Sequence, residues 1–195
     1  MKRQKIKQIK FRSQYLYLVS ELIDNALFFK KQYSNICLIE TGFFSNKVKK
    51  LIQKTFPDSN IEFLNVNKLS GLKAKNYDLV LAPIAIQFMK KLNYDIASIY
   101  TSLKPDGLLL ANGFNVLSST PSILDFKEEM QKLSLKPSMV SIFDLGDLVN
   151  KHSFKDKAID RENFLIEGSK IELINLYCCK KGLENDTENI KVVIN

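Results

Sequence analysis

Glu40-Thr41-Gly42 is one of the few stretches of this chain whose residue types could serve a site. It follows the apolar run Asn35–Ile39 and sets a carboxylate two residues before a glycine, at what reads as the end of a strand. A glycine there lets the backbone approach a bound molecule that a Cβ would hold off. Groups for acid–base or metal chemistry are otherwise sparse. His152 is the single histidine, which excludes an imidazole-built zinc or iron site and the usual histidine triad, so no metal is expected and the catalytic residue stays unassigned. Cys37, Cys178 and Cys179 have no metal-ligand spacing. With no basic-then-apolar leader at the N-terminus, they point to a reducing, cytoplasmic setting.

The elements that must position such a site alternate in type. Residues 13–32 place Leu16, Val19, Ile23 and Leu27 at helical spacing, ahead of a strand at 35–40. Residues 46–56 read as a helix with Val48, Leu51 and Ile52 inward, 61–66 as a second strand and 67–75 as a polar loop. Then come a strand at 77–83, a helix at 94–103 stopped by Pro105, and a strand at 108–111 entered through Gly107. A helix at 121–133, a short helix at 144–152 and a strand at 159–166 follow. Residues 170–181 fit a helix through Ile171, Ile174 and Cys178, with a strand as the alternative. This alternation predicts an α/β fold with a mostly parallel sheet and right-handed crossovers. Such sheets bind ligands outside the carboxyl ends of their strands, here Glu40–Phe44, Asn65–Asn67, Ala82–Ile86 and Asn112–Asn115.

The chain has 195 residues, one domain by size, and a net charge of +8. It divides into a basic arm and helix (1–34), the α/β domain (35–181) and a tail (182–195). Residues 1–12 hold six Lys/Arg and no acid, whereas the rest carries 23 basic against 21 acidic residues. The arm reads as the solvated start of the first helix. A nucleic-acid protein would spread its excess charge over a folded face, so a nucleic-acid partner is disfavoured. No stretch approaches 18 consecutive apolar residues, so no membrane span is expected.

The stretch NYDLVLAP, followed about 25 residues later by LKPDGLLLA, resembles the second half of class I S-adenosylmethionine-dependent methyltransferases, where "FDLVV…LKPGG" brackets the fourth and fifth strands. It is most similar to one branch, the malonyl-acyl-carrier-protein O-methyltransferases of biotin synthesis and the related methyltransferase-like assembly factors of respiratory complex I. That branch reads "FDLVVSxLxLHWVNDL" and "LKPDGLFLA", against YDLVLAPIAIQFMKKL and LKPDGLLLA here; Gln87-Phe88 stands where the branch has His-Trp. VSIFDLGDLVNKHSF (140–154) is similar to its "VSPF…DLGxLLxRAGF".

The resemblance implies a Rossmann-like fold that binds S-adenosylmethionine through Glu40, Gly42, Asn65, Ala82 and Pro83, with Gln87 towards the substrate. Methyl transfer from a sulfonium depends mainly on positioning, so cofactor contacts are the informative part. The superfamily's (D/E)xGxGxG becomes Glu40-Thr41-Gly42-Phe43-Phe44-Ser45-Asn46. Either Phe44 and Asn46 replace the second and third glycines, or about three loop residues are missing. Asn65 or Asn67 stands where the superfamily has a ribose-binding acid, and the span from Ile61 to Tyr77 is short by one βα unit. The branch also extends beyond residue 195, which implies absent final strands, an exposed sheet edge near 159–178 and a tendency to form a homodimer. The implied activity is methyl transfer to a small acid, an acyl-carrier-bound thioester or a protein; the alternative is an inactive relative that binds a partner or assists assembly. Asp78 and Lys104-Pro105-Asp106-Gly107 read as structural, Phe43-Phe44 as filler, and His152 as a surface residue.

Overall fold

The apolar runs of the sequence become six strands of one sheet. The computed structural model describes residues 2–41, 45–74, 76–114, 141–166 and 169–182. In chain order the elements are α1 (Lys2–Phe29), β1 (Asn35–Glu40), α2 (Ser45–Thr55), β2 (Asn60–Asn65), a 3-10 segment (Val66–Gly71), β3 (Tyr77–Ala82), a 3-10 turn (Ala85–Phe88), α3 (Leu92–Ser102), β4 (Leu103–Phe114), α4 (Ile142–Lys151), β5 (Phe154–Ile166) and β6 (Ser169–Lys180). The sheet order is β2-β1-β3-β4-β6-β5. β1 pairs in parallel with β2 and β3, and β3 with β4, while β6 runs antiparallel to both β4 and β5. The helix expected at 121–133 lies outside the described residues.

Strands β1 and β3 are central and covered on both faces, which is why their sequences run apolar instead of alternating; Ile36, Cys37, Leu38 and Ile39 are all buried. Helix α1 contributes Tyr15, Leu18, Val19, Leu22, Ile23 and Ala26 to this core. Its buried stripe is therefore rotated from the expected one, with Leu16 and Leu27 only flanking. At the amino ends of the strands, Asp78 accepts the Asn35 N–H at 2.8 Å and pairs with Lys104 Nζ at 3.1 Å. It thereby ties β1, β3 and β4 together, a structural acid as its place before a strand predicted. Helix α4 begins with a reciprocal cap: Ser141 Oγ accepts the Asp144 N–H, and the Asp144 carboxylate accepts from Ser141 N–H and Oγ–H. These bonds hold the Asp144 carboxyl below its ordinary range. The cap's contribution is full above the unfolded-state pKa of a carboxyl and is lost as pH falls through the lowered folded value.

Three expectations are corrected. Residues 170–181 take the strand alternative in place of the helix: β6 lies between two partners, and its run Leu173, Ile174, Leu176 and Cys178 is buried on both faces. The final strands are thus present, as a long β5–β6 hairpin. The open edge on that side is β5, whose exposed Lys155, Asp156, Lys157 and Arg161 discourage strand pairing. Second, α3 ends at Ser102, before Pro105. The register jumps from Tyr77↔Leu103 to Leu79↔Leu108, so Lys104-Pro105-Asp106-Gly107 forms an irregularity inside β4. Third, the positive φ belongs to Asp106 (60°) and not to Gly107. Gly107 is needed for space: a Cβ there would lie 2.8 Å from the Lys104 carbonyl oxygen and 3.0 Å from that of Tyr77.

Gly107→Ala should therefore lower the melting temperature measurably, because backbone atoms cannot yield. Gly71→Ala, whose Cβ would meet only Leu64 Cδ1 at 3.8 Å, should leave it within about 2 °C. Equal effects from the two changes would contradict this account.

Candidate functional site

The carboxyl ends of the strands line up because the register forces them to. Glu40 pairs with Asn65, Leu81 with Leu38, and Ala111 with Ala82. Glu40, Asn65, Pro83 and Asn112 therefore fall in one row across four neighbouring strands, with β4 running on to Phe114. Gly42, Phe43 and Phe44 lie outside the described residues.

Glu40 closes β1 with its side chain only 15% exposed. Its Oε1 lies 3.8 Å from Lys49 Nζ on α2, and that ammonium sits 4.8 Å from the centroid of the Phe63 ring. Its Oε2 is buried and has no hydrogen-bond partner. A buried carboxylate oxygen without a donor is costly unless something supplies one. Tyr15 of α1 reaches the same corner. Burial, with a smaller push from the Glu40 charge, raises its hydroxyl to about 12, while the neighbouring Thr41 pulls it the other way. Tyr15 is therefore a neutral phenol at physiological pH.

Asn65 has other work. Its Oδ1 accepts from Asn67 N at 3.0 Å and Asn67 Nδ2 at 3.2 Å, capping the 3-10 segment. A ribose hydroxyl would find the amide N–H of Asn65, not a carboxylate. Among the described residues the 3-10 segment is the one helix or strand between β2 and β3, in keeping with the short spacing expected from sequence, and β2 lies at the sheet edge.

Ala82 and Pro83 are buried and lead into Ile84, whose φ of 52° is left-handed. A β-branched residue there is strained by about 1–3 kcal/mol. It is held by Asn112, whose Oδ1 accepts the Ile84 N–H at 2.8 Å while its Nδ2 donates to the Leu18 carbonyl at 3.4 Å. Gln87, in the 3-10 turn after β3, is 1% exposed. Its Nε2 donates to the Phe114 carbonyl at 2.8 Å, and its Oε1 has no partner. Gly113 makes room for it, since a Cβ at 113 would come within 2.6 Å of Oε1. His152, the residue that caps the C-terminus of α4, meets Asn93 Oδ1 through Nε2 at 2.9 Å.

The structure thus brings Glu40, Asn65, Ala82 and Pro83 to one edge and buries Gln87 beside the same edge. Sequence reasoning missed Lys49, Tyr15 and the clamp made by Asn112. The last had a signal, an asparagine ending the apolar run Leu108–Ala111. Tested against S-adenosylmethionine, the residues present fit one end of the molecule. The free Glu40 oxygen suits an ammonium, whereas the ribose side offers an amide where an acid is expected.

No family model and no curated protein matches the chain. Solved structures do. A SAM-dependent methyltransferase from Archaeoglobus fulgidus superposes with a TM-score of 0.64 at 12% identity, over 85% of this chain and 94% of that one. A SAM-dependent methyltransferase from Methanosarcina mazei gives 0.56 at 10% identity, over 79% and 95%. Phosphoethanolamine N-methyltransferase 2 of Haemonchus contortus, solved with S-adenosyl-L-methionine, gives 0.61 at 10% identity; the alignment covers 83% of this chain and 52% of that one. The chain thus shares the α/β, Rossmann-like fold of these solved structures, and Glu40 and Pro83 stand at the carboxyl ends of its strands.

Proposed function

We propose that the chain binds S-adenosylmethionine, or the S-adenosylhomocysteine left after transfer, at the carboxyl ends of β1 and β3, as a methyltransferase-like protein. The observation that carries this reading is the buried, unpartnered Oε2 of Glu40 at the end of the first strand. Bound there, the cofactor would supply an electrophilic methyl group on a sulfonium. Glu40 would accept from its ammonium, and the Asn65 amide would donate to a ribose hydroxyl. Buried Ala82 and Pro83 would exclude water from the edge. Gln87 would offer its Oε1 to a donor on the substrate side. The similarity of 77–110 and 140–154 to the biotin-synthesis and complex I branch points to a small acid, an acyl-carrier-bound thioester or a protein as the methyl acceptor.

A second reading is favoured by specific observations. The Asn65 oxygen is committed to its own backbone, and among the described residues the 3-10 segment is the one helix or strand between β2 and β3. A relative that has given up cofactor chemistry and binds a partner would show both.

Thermal unfolding with S-adenosylhomocysteine separates the two. Ligand at a hundred times its dissociation constant stabilises by about 2.7 kcal/mol, a shift of roughly 5–10 °C for this size. The shift should disappear in Glu40→Gln while the ligand-free melting temperature stays within a few degrees. No shift for the unaltered protein at millimolar ligand would select the partner-binding reading.

A further inference from the structure

Lys49 meets Glu40 in an arrangement that is neither a tight salt bridge nor an open surface pair. The 3.8 Å separation exceeds hydrogen-bond range, so the ammonium offers charge without donating. It approaches Oε1 only and leaves the buried Oε2 empty. The Phe63 ring holds the ammonium from another side at 4.8 Å, through attraction between a cation and an aromatic face. The Lys49 side chain is 35% exposed, and its four-carbon stem can swing towards water.

We propose that Lys49 is a tethered counter-ion of Glu40, one that an incoming ligand's ammonium must displace. This rests on the reading of Glu40 as the acceptor for the amino-acid end of the ligand. In the free protein Lys49 neutralises a largely buried carboxylate. A ligand that brings its own ammonium makes a direct, charge-assisted hydrogen bond to Glu40 and renders Lys49 redundant. The tether therefore competes with amino-acid-headed ligands and is indifferent to the nucleoside end. It acts as a selectivity and affinity control that the motif residues alone do not contain.

The experiment compares Lys49→Met, which keeps the stem and removes the charge, with Lys50→Met on the exposed side of the same helix. Calorimetry should find S-adenosylhomocysteine bound about fivefold more tightly by Lys49→Met. Adenosine affinity should be unchanged, and Lys50→Met should match the unaltered protein for both ligands. Binding by Lys49→Met alone would be the strongest support. Unaltered S-adenosylhomocysteine affinity in Lys49→Met, or equal tightening of adenosine, overturns the proposal while leaving Glu40 as a ligand site. Failure of both proteins to bind S-adenosylhomocysteine at millimolar concentration removes the cofactor reading and this inference with it. Melting curves of the free variants guard against a folding defect.

Discussion

The carboxyl edge of this sheet depends on one buried amide. Asn112 sits two residues before the end of β4 with no exposure, takes the N–H of Ile84 on one side and gives its own N–H to the Leu18 carbonyl on the other. Three segments far apart in sequence thereby share one side chain: the turn after β3, β4 itself and the middle of α1. Both backbone groups are shielded from water, where an unmade hydrogen bond costs more than a made one returns. The left-handed Ile84 is tolerable only because that bond exists. Its geometry then sets the direction of the 3-10 turn that carries Gln87 inward.

Sheet and site were legible to different degrees, for a physical reason. The central strands could be read because burial on both faces demands unbroken apolar runs, and NICLIE and YDLVLA have them. The short connection after β2 could be read as well, because chain length limits what can be built. The segment 170–181 misled because its apolar residues satisfy both a helical stripe and a doubly buried strand. Only the pairing with β4 and β5 decides between them. In the turn at 104–107, composition identified the bend but not the division of labour, since the strained backbone falls on Asp106 while Gly107 serves close packing.

The site was legible where it repeats a motif and opaque where it depends on tertiary approach. Glu40 could be named from its place after a strand. Lys49 could not, because nothing in the sequence says which of the lysines on α2 turns back over β1. Asn65 shows the converse. It ends β2 beside Glu40, but its oxygen is already spent on Asn67, a local bond that any asparagine before a tight turn can make. Gln87 could be placed at the edge from the sequence, but its burial could not. Its burial follows from the absence of a side chain at Gly113, on another strand.

The two ends of the described chain have opposite relations to this edge. Helix α1 starts from the site side, with Tyr15 near Thr41, and descends to Ala26, whose carbonyl accepts the Tyr33 hydroxyl beside the start of β1. Strand β6 leaves at the far side: Lys180 reaches the Leu103 carbonyl, and Gly182 lies against the Asp106 carboxylate with no space for a Cβ. For anyone building on this scaffold, residue 182 lies at the end of the sheet opposite the carboxyl edge of its strands, which suits it to a reporter or immobilisation handle. One placed before α1 shares that edge and risks crowding whatever docks there. The polarity of a single long helix thus sets which end of the described residues lies beside the carboxyl edge.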